Sequence, residues 1–80
     1  MKTITIHCAH MEKASLHSAL QQALSFPDYY GANLDALYDC LTELEEDIHL
    51  ILQDLPPLPG FRETLQDAAG DNPHFTVSYS

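Results

Sequence analysis

The chain has eighty residues, with twelve Asp and Glu against three Lys and Arg, a formal charge of −9 and 45% apolar residues. Such an acidic chain repels a phosphate backbone, which argues against direct nucleic-acid binding, while the apolar content and its periodicity argue against disorder. The length suits a single small domain, residues 1–80, burying about 60% of its unfolded surface on folding. No window is apolar enough for a membrane span or a signal peptide, and two cysteines, Cys8 and Cys40, make no disulfide framework. A reduced, cytoplasmic protein is expected.

Taken in chain order, Ile4 and Ile6 alternate with Thr3 and Thr5, which predicts a first strand with one face buried. Leu16, Ala19, Leu20, Ala23 and Leu24 recur at helical spacing, with Ser15 as the expected N-cap and Pro27 as the stop. A loop, Asp28-Tyr29-Tyr30-Gly31, leads to Asn33, the expected N-cap of a second helix with Leu34, Leu37, Leu41 and Leu44 as its core stripe. Ile48, Leu50 and Leu52 alternate in a second strand, and Leu55-Pro56-Pro57-Leu58-Pro59-Gly60 forms a stiff connector. A third helix is expected from about Phe61 to Ala69, with Phe61, Leu65 and Ala68 inward and Gly70 as its stop. Phe75, Val77 and Tyr79 mark a third strand. Strands joined by helical crossovers of one hand predict an α/β fold. It has two layers, a three-stranded parallel sheet in the order 1-2-3 and helices mainly on one face.

The second helix carries the distinctive chemistry. Asp35, Tyr38, Asp39, Thr42 and Glu46 fall at i, i+3, i+4, i+7 and i+11, a stripe roughly 90° or more away from the leucines. No Lys or Arg occurs between Lys13 and Arg62, while eight carboxylates lie from Asp28 to Asp54. A surface of this kind suits a strongly cationic partner, because a carboxylate gains most when it meets a fixed guanidinium or ammonium group away from water. Periodicity alone also fits a bland reading. Asp35 would favour the positive end of the helix dipole, Asp39 and Glu43 would be solvated positions, and Tyr38 would cover the edge of the core.

Other constellations are weaker. His7, Cys8 and His10 are too tightly spaced for three ligands on one ion, so no metal or other cofactor is expected. Paired carboxylates could serve acid–base catalysis, but that needs a pocket able to separate their pKa values, and a two-layer domain of this size has little room for one. No glycine-rich phosphate loop follows the first strand. The chain is not expected to be an enzyme.

The segment Pro27-Asp28-Tyr29-Tyr30-Gly31-Ala32-Asn33-Leu34-Asp35-Ala36-Leu37-Tyr38-Asp39-Cys40-Leu41-Thr42 resembles the barstar family of intracellular ribonuclease inhibitors nearly position by position. The resemblance extends more thinly from the first strand to the last. It implies a barstar-like domain whose loop and second helix plug a ribonuclease active site. On that basis Asp39 would stand in for a phosphate, Asp35 would meet the enzyme's guanine-side loops, and Tyr29 would pack on its catalytic histidine. Asn33, Leu34, Tyr38 and Thr42 would complete the contact, with Glu43 and Glu46 at the helix end and, counted back from the C-terminus, Asp67 and Asp71 where the family places secondary acidic contacts. The family commonly has Trp where this chain has Tyr38. Small or aromatic residues are frequent where Glu43 and Leu44 stand, and the Leu55–Gly60 connector is too short for the family's small extra helix. The expected partner is a basic, barnase-like ribonuclease or a related toxin, bound by a chain that is otherwise a monomer. An immunity or interaction module of the same fold, directed at another toxin or a non-nuclease partner, is the alternative.

Overall fold

A computed structural model describes all of residues 1–80. The alternating residues pair as expected. β1 (Lys2–His7), β2 (Ile48–Gln53) and β3 (Phe75–Tyr79) form a parallel sheet in the order β1-β2-β3. Register runs from Lys2↔Ile48 to His7↔Gln53 on one side of β2, and from Ile48↔Phe75 to Leu52↔Tyr79 on the other. Ile6, Ile48, Leu50, Leu52 and Phe75 are buried on one face, while Thr3, Thr5, Thr76 and Ser78 on the opposite face are exposed. Period-two alternation thus records a sheet covered by helices on one side only.

Three helices supply that cover: α1 (Lys13–Leu24), α2 (Leu34–Thr42) and α3 (Phe61–Asp71). Leu16, Leu20 and Leu24 of α1, Leu37 and Leu41 of α2, and Phe61, Leu65 and Ala68 of α3 join the strand residues in one core. Phe61 and Phe75 are essentially inaccessible, each contributing about 1.5–3 kcal/mol by leaving water. Leu34 and Leu44, the ends of the predicted α2 stripe, are only half-buried.

Two helix boundaries differ from the sequence-based expectation. Ser15 is not the N-cap of α1. Glu12 takes the extended capping conformation and its carbonyl accepts the Leu16 N–H at 3.0 Å, but no side chain caps this end. Gly70 does not stop α3 but lies within it, facing open space. The helix ends at Asn72. There the side-chain amide donates to the Leu41 and Leu44 carbonyls at 2.8 and 3.0 Å, and its oxygen accepts the His74 N–H at 2.9 Å. Pro73 then disfavours helical geometry at the preceding residue. These bonds fasten the end of α3 to the end of α2.

The connector Leu55–Gly60 contains no helix. Gly60 has φ +83°, and a Cβ there would come within 2.5 Å of Leu34 Cδ1. Glycine is therefore required twice over, for its conformation and for the close approach that seats Leu34 at the start of α2. No helix is long and apolar enough to cross a membrane.

Candidate functional site

The loop before α2 separates its two adjacent tyrosines. Tyr30 is buried, with its ring 5.0 Å from Phe26 and its hydroxyl 2.5 Å from Nδ1 of the buried His17. His17 in turn lies 4.9 Å from the Phe61 ring, so the loop is anchored on both α1 and α3. Burial pushes the Tyr30 phenol up to about 12. It also pushes the His17 imidazole below its ordinary value, with the Lys13 ammonium adding to the effect. Both partners therefore stay neutral at physiological pH. The Tyr30 N–H donates to the Pro27 carbonyl at 2.9 Å, closing a turn that leaves Tyr29 87% exposed at its tip. An anchored turn carrying a bare aromatic ring has the form of a contact residue already held in place.

The step from loop to helix is tight. Ala32 takes a left-handed conformation, φ +51°, which costs an L-residue about 1–2 kcal/mol. Gly31 sits so close to Asn33 that a Cβ would lie 2.9 Å from its Nδ2. Asn33 caps α2 as expected, its Oδ1 accepting the Ala36 N–H at 2.8 Å. A depression of about 320 Å³ beside this cap is lined by Ala14, His17, Ala32, Asn33 and Leu34, and also by Lys13. The stretch without cations in the sequence therefore has one at its margin in space.

On α2, Asp35 and Asp39 are exposed one turn apart, about 6 Å along the axis. Neither forms an ion pair: Lys2 pairs with Glu46 at 3.9 Å, His74 with Asp47 at 2.7 Å, and Arg62 stacks over the Tyr79 ring at 4.4 Å. Tyr38 is half-buried against the core, and Thr42 turns its hydroxyl back to donate to the Tyr38 and Asp39 carbonyls at 3.0 and 3.1 Å. Glu43 is the exposed C-cap of α2. Glu46 does not belong to the stripe, because the helix has ended by Thr42 and Glu46 lies in the turn before β2. The clamp from Asn72 on the last carbonyls of α2 fixes that end. Glu43, Glu45, Glu46 and Asp47 would in any case sit poorly at the negative pole of a longer helix.

α3 contributes a second group of acids. The Tyr38 hydroxyl donates to Asp71 Oδ2, a bond across 33 positions. That bond raises the Tyr38 phenol above its ordinary value, aided by burial and by the charges of Asp71, Asp67 and Asp39. The structure thus brings Asp39, Tyr38, Asp67 and Asp71 into one neighbourhood. The sequence positions of Asp67 and Asp71 suggest secondary acidic contacts, but the Tyr38–Asp71 bond and the clamp from Asn72 join residues far apart in the chain, and nothing local to them signals either. The thiols are not reactive features. Burial and Asp54 raise Cys8, while burial, Glu43 and Asp39 raise Cys40, and both cysteines are free. No three His, Cys, Asp or Glu side chains converge to hold a metal.

The family model described as Barstar (barnase inhibitor) matches residues 1–74. A protein of Bacillus subtilis (strain 168) named "Putative ribonuclease inhibitor YrdF" is 70% identical over 27 residues. That match covers 34% of this chain and 30% of the relative's length.

Proposed function

The chain belongs to the barstar family, and from that premise we propose that it is a protein inhibitor of a basic, barnase-like ribonuclease rather than an enzyme. The turn at Tyr29 and the outer face of α2 would enter the nuclease's active site together. Asp39 would occupy the place of a substrate phosphate among cationic catalytic groups, and Asp35 would meet neighbouring basic residues. Tyr29 would stack on the catalytic histidine. Asn33, Leu34, Tyr38 and Thr42 would seal the contact against water, with Glu43 and Asp67 at its rim. Inhibition would be steric and electrostatic, without cofactor or turnover. The name of the B. subtilis relative agrees with this reading.

The observation that carries the proposal is the pairing of an 87% exposed Tyr29 with two carboxylates that have no internal cation. A folded chain gains little from such an arrangement by itself. A partner with preset cations gains a great deal, because charge-assisted bonds strengthen once water is excluded. The test is calorimetric titration into barnase with RNA cleavage followed in parallel, comparing Asp39→Ala with Glu12→Ala. Each variant removes one negative charge, and Glu12 is exposed and makes no side-chain cap. Truncating one partner of a buried charge pair costs about 2–5 kcal/mol, a range drawn in part from the barnase–barstar pair itself. Asp39→Ala should therefore weaken binding by about thirtyfold to several thousandfold, and Glu12→Ala by only a few-fold. Equal losses would remove Asp39 from the centre of the interface.

A further inference from the structure

We infer that Asp71 is the positioning residue for Tyr38, and that the Tyr38–Asp71 pair presets part of the contact surface; this rests on the inhibitor reading above. Among Asp35, Tyr38, Asp39 and Thr42, only Tyr38 has its side chain held from another element. Its hydroxyl donates to Asp71 on α3, whereas Thr42 bonds within its own helix and the two aspartates make no side-chain bond. Asp71 is itself firmly placed. It is the last residue of α3, next to Asn72, which is 4% exposed and donates to two carbonyls at the end of α2. Residues 71 and 72 therefore join α3 to α2 twice, Asn72 from within and Asp71 from the solvent side. With its ring against the core and its hydroxyl held, Tyr38 keeps one orientation before any partner arrives, so less side-chain freedom is lost on binding. The bond also fixes the direction of the Asp71 carboxylate and ties the end of α3 to the acidic face of α2.

A kinetic cycle against barnase tests this, using Tyr38→Phe, Asp71→Ala, the double variant and Asp71→Asn, each checked for unchanged circular dichroism. Asp71→Ala and Tyr38→Phe should each raise the dissociation rate about three- to tenfold, and the double variant no more than the larger single. Asp71→Asn keeps an acceptor oxygen and should stay within about twofold of wild type in dissociation, while slowing association at low salt. In the free protein, Asp71→Ala should also lower the pH at which one phenol ionises, the phenol that Tyr38→Phe removes. Effects that multiply would make Asp71 an independent contact and overturn the inference, as would unchanged dissociation in both single variants. Failure of the wild-type chain to bind would overturn the inhibitor reading and this inference with it.

Discussion

Replacing Asn72 with alanine should damage this fold more than replacing most of its larger residues. The side chain is buried and makes three hydrogen bonds, two as donor to the Leu41 and Leu44 carbonyls and one as acceptor from the His74 N–H. At about 1 kcal/mol net for each bond, and more for the buried Leu41 carbonyl that no water can reach, the loss is roughly 3–4 kcal/mol. A domain of this size has only about 4–12 kcal/mol in total. The midpoint of thermal unfolding should fall by about 12–30 °C. Asn72→Asp should be no better, because it keeps the acceptor for His74 but loses both donors and turns a charge toward two carbonyl oxygens. Urea and thermal unfolding followed by circular dichroism measure both variants, and the urea slope should stay constant if the transition remains two-state. A loss below about 1 kcal/mol in either variant would mean that this clamp does not hold the ends of α2 and α3 together.

Three further outcomes are expected. Association with barnase should slow steeply as salt is added, since a chain of charge −9 is steered by its field; a salt-independent rate in stopped-flow mixing would point to an apolar interface. Gly60→Ala should cost about 2 kcal/mol, measured by thermal unfolding, from its positive φ and its collision with Leu34; a neutral result would contradict the packing described here. His17 should give the stability profile an acid limb. Its folded pKa is lowered from the ordinary imidazole value of 6.5, chiefly by burial and secondly by Lys13. The unfolded chain therefore binds protons more readily, and stability is complete above about pH 6.5 and declines as pH falls toward the folded value. Unfolding of wild type and His17→Gln from pH 7 to 5 tests this; identical slopes would exclude His17 as the source.

The parts of this fold that were legible in the sequence are those encoded by near neighbours. Alternation at Ile4–Ile6, Ile48–Leu52 and Phe75–Tyr79 located all three strands, and their separation by helices led to the order of the sheet. Asn33 announced the start of α2 because a cap is satisfied within three residues. The errors lie where distant residues decide. α2 stops at Thr42, and Glu46 leaves the contact stripe, where Asn72 donates to carbonyls 31 and 28 positions away. Gly70 failed as a stop because Asn72 and Pro73 terminate α3 instead. The partition of Tyr29 and Tyr30 into an exposed ring and an anchored one depends on His17 and Phe26, so the pair reads identically in sequence and oppositely in space. The Tyr38–Asp71 bond was hidden for the same reason, since it joins two different helices.

The position of β2 between two unequal crossovers has a consequence for the order of assembly. Ile48 pairs with Phe75, 27 positions away, and with Lys2, 46 positions away. Closure entropy grows with the logarithm of loop length, so the wider closure costs only about 0.5 kcal/mol more. The wider loop, however, contains both α1 and the contact helix, and α2 is tied across to α3 through Asn72. The half formed by β2, α3 and β3 is therefore the cheaper one to nucleate, and α2 can register on it before β1 closes the far edge. Substitutions in β1 would then change chiefly the rate of unfolding, whereas substitutions at the α2–α3 junction would slow folding itself.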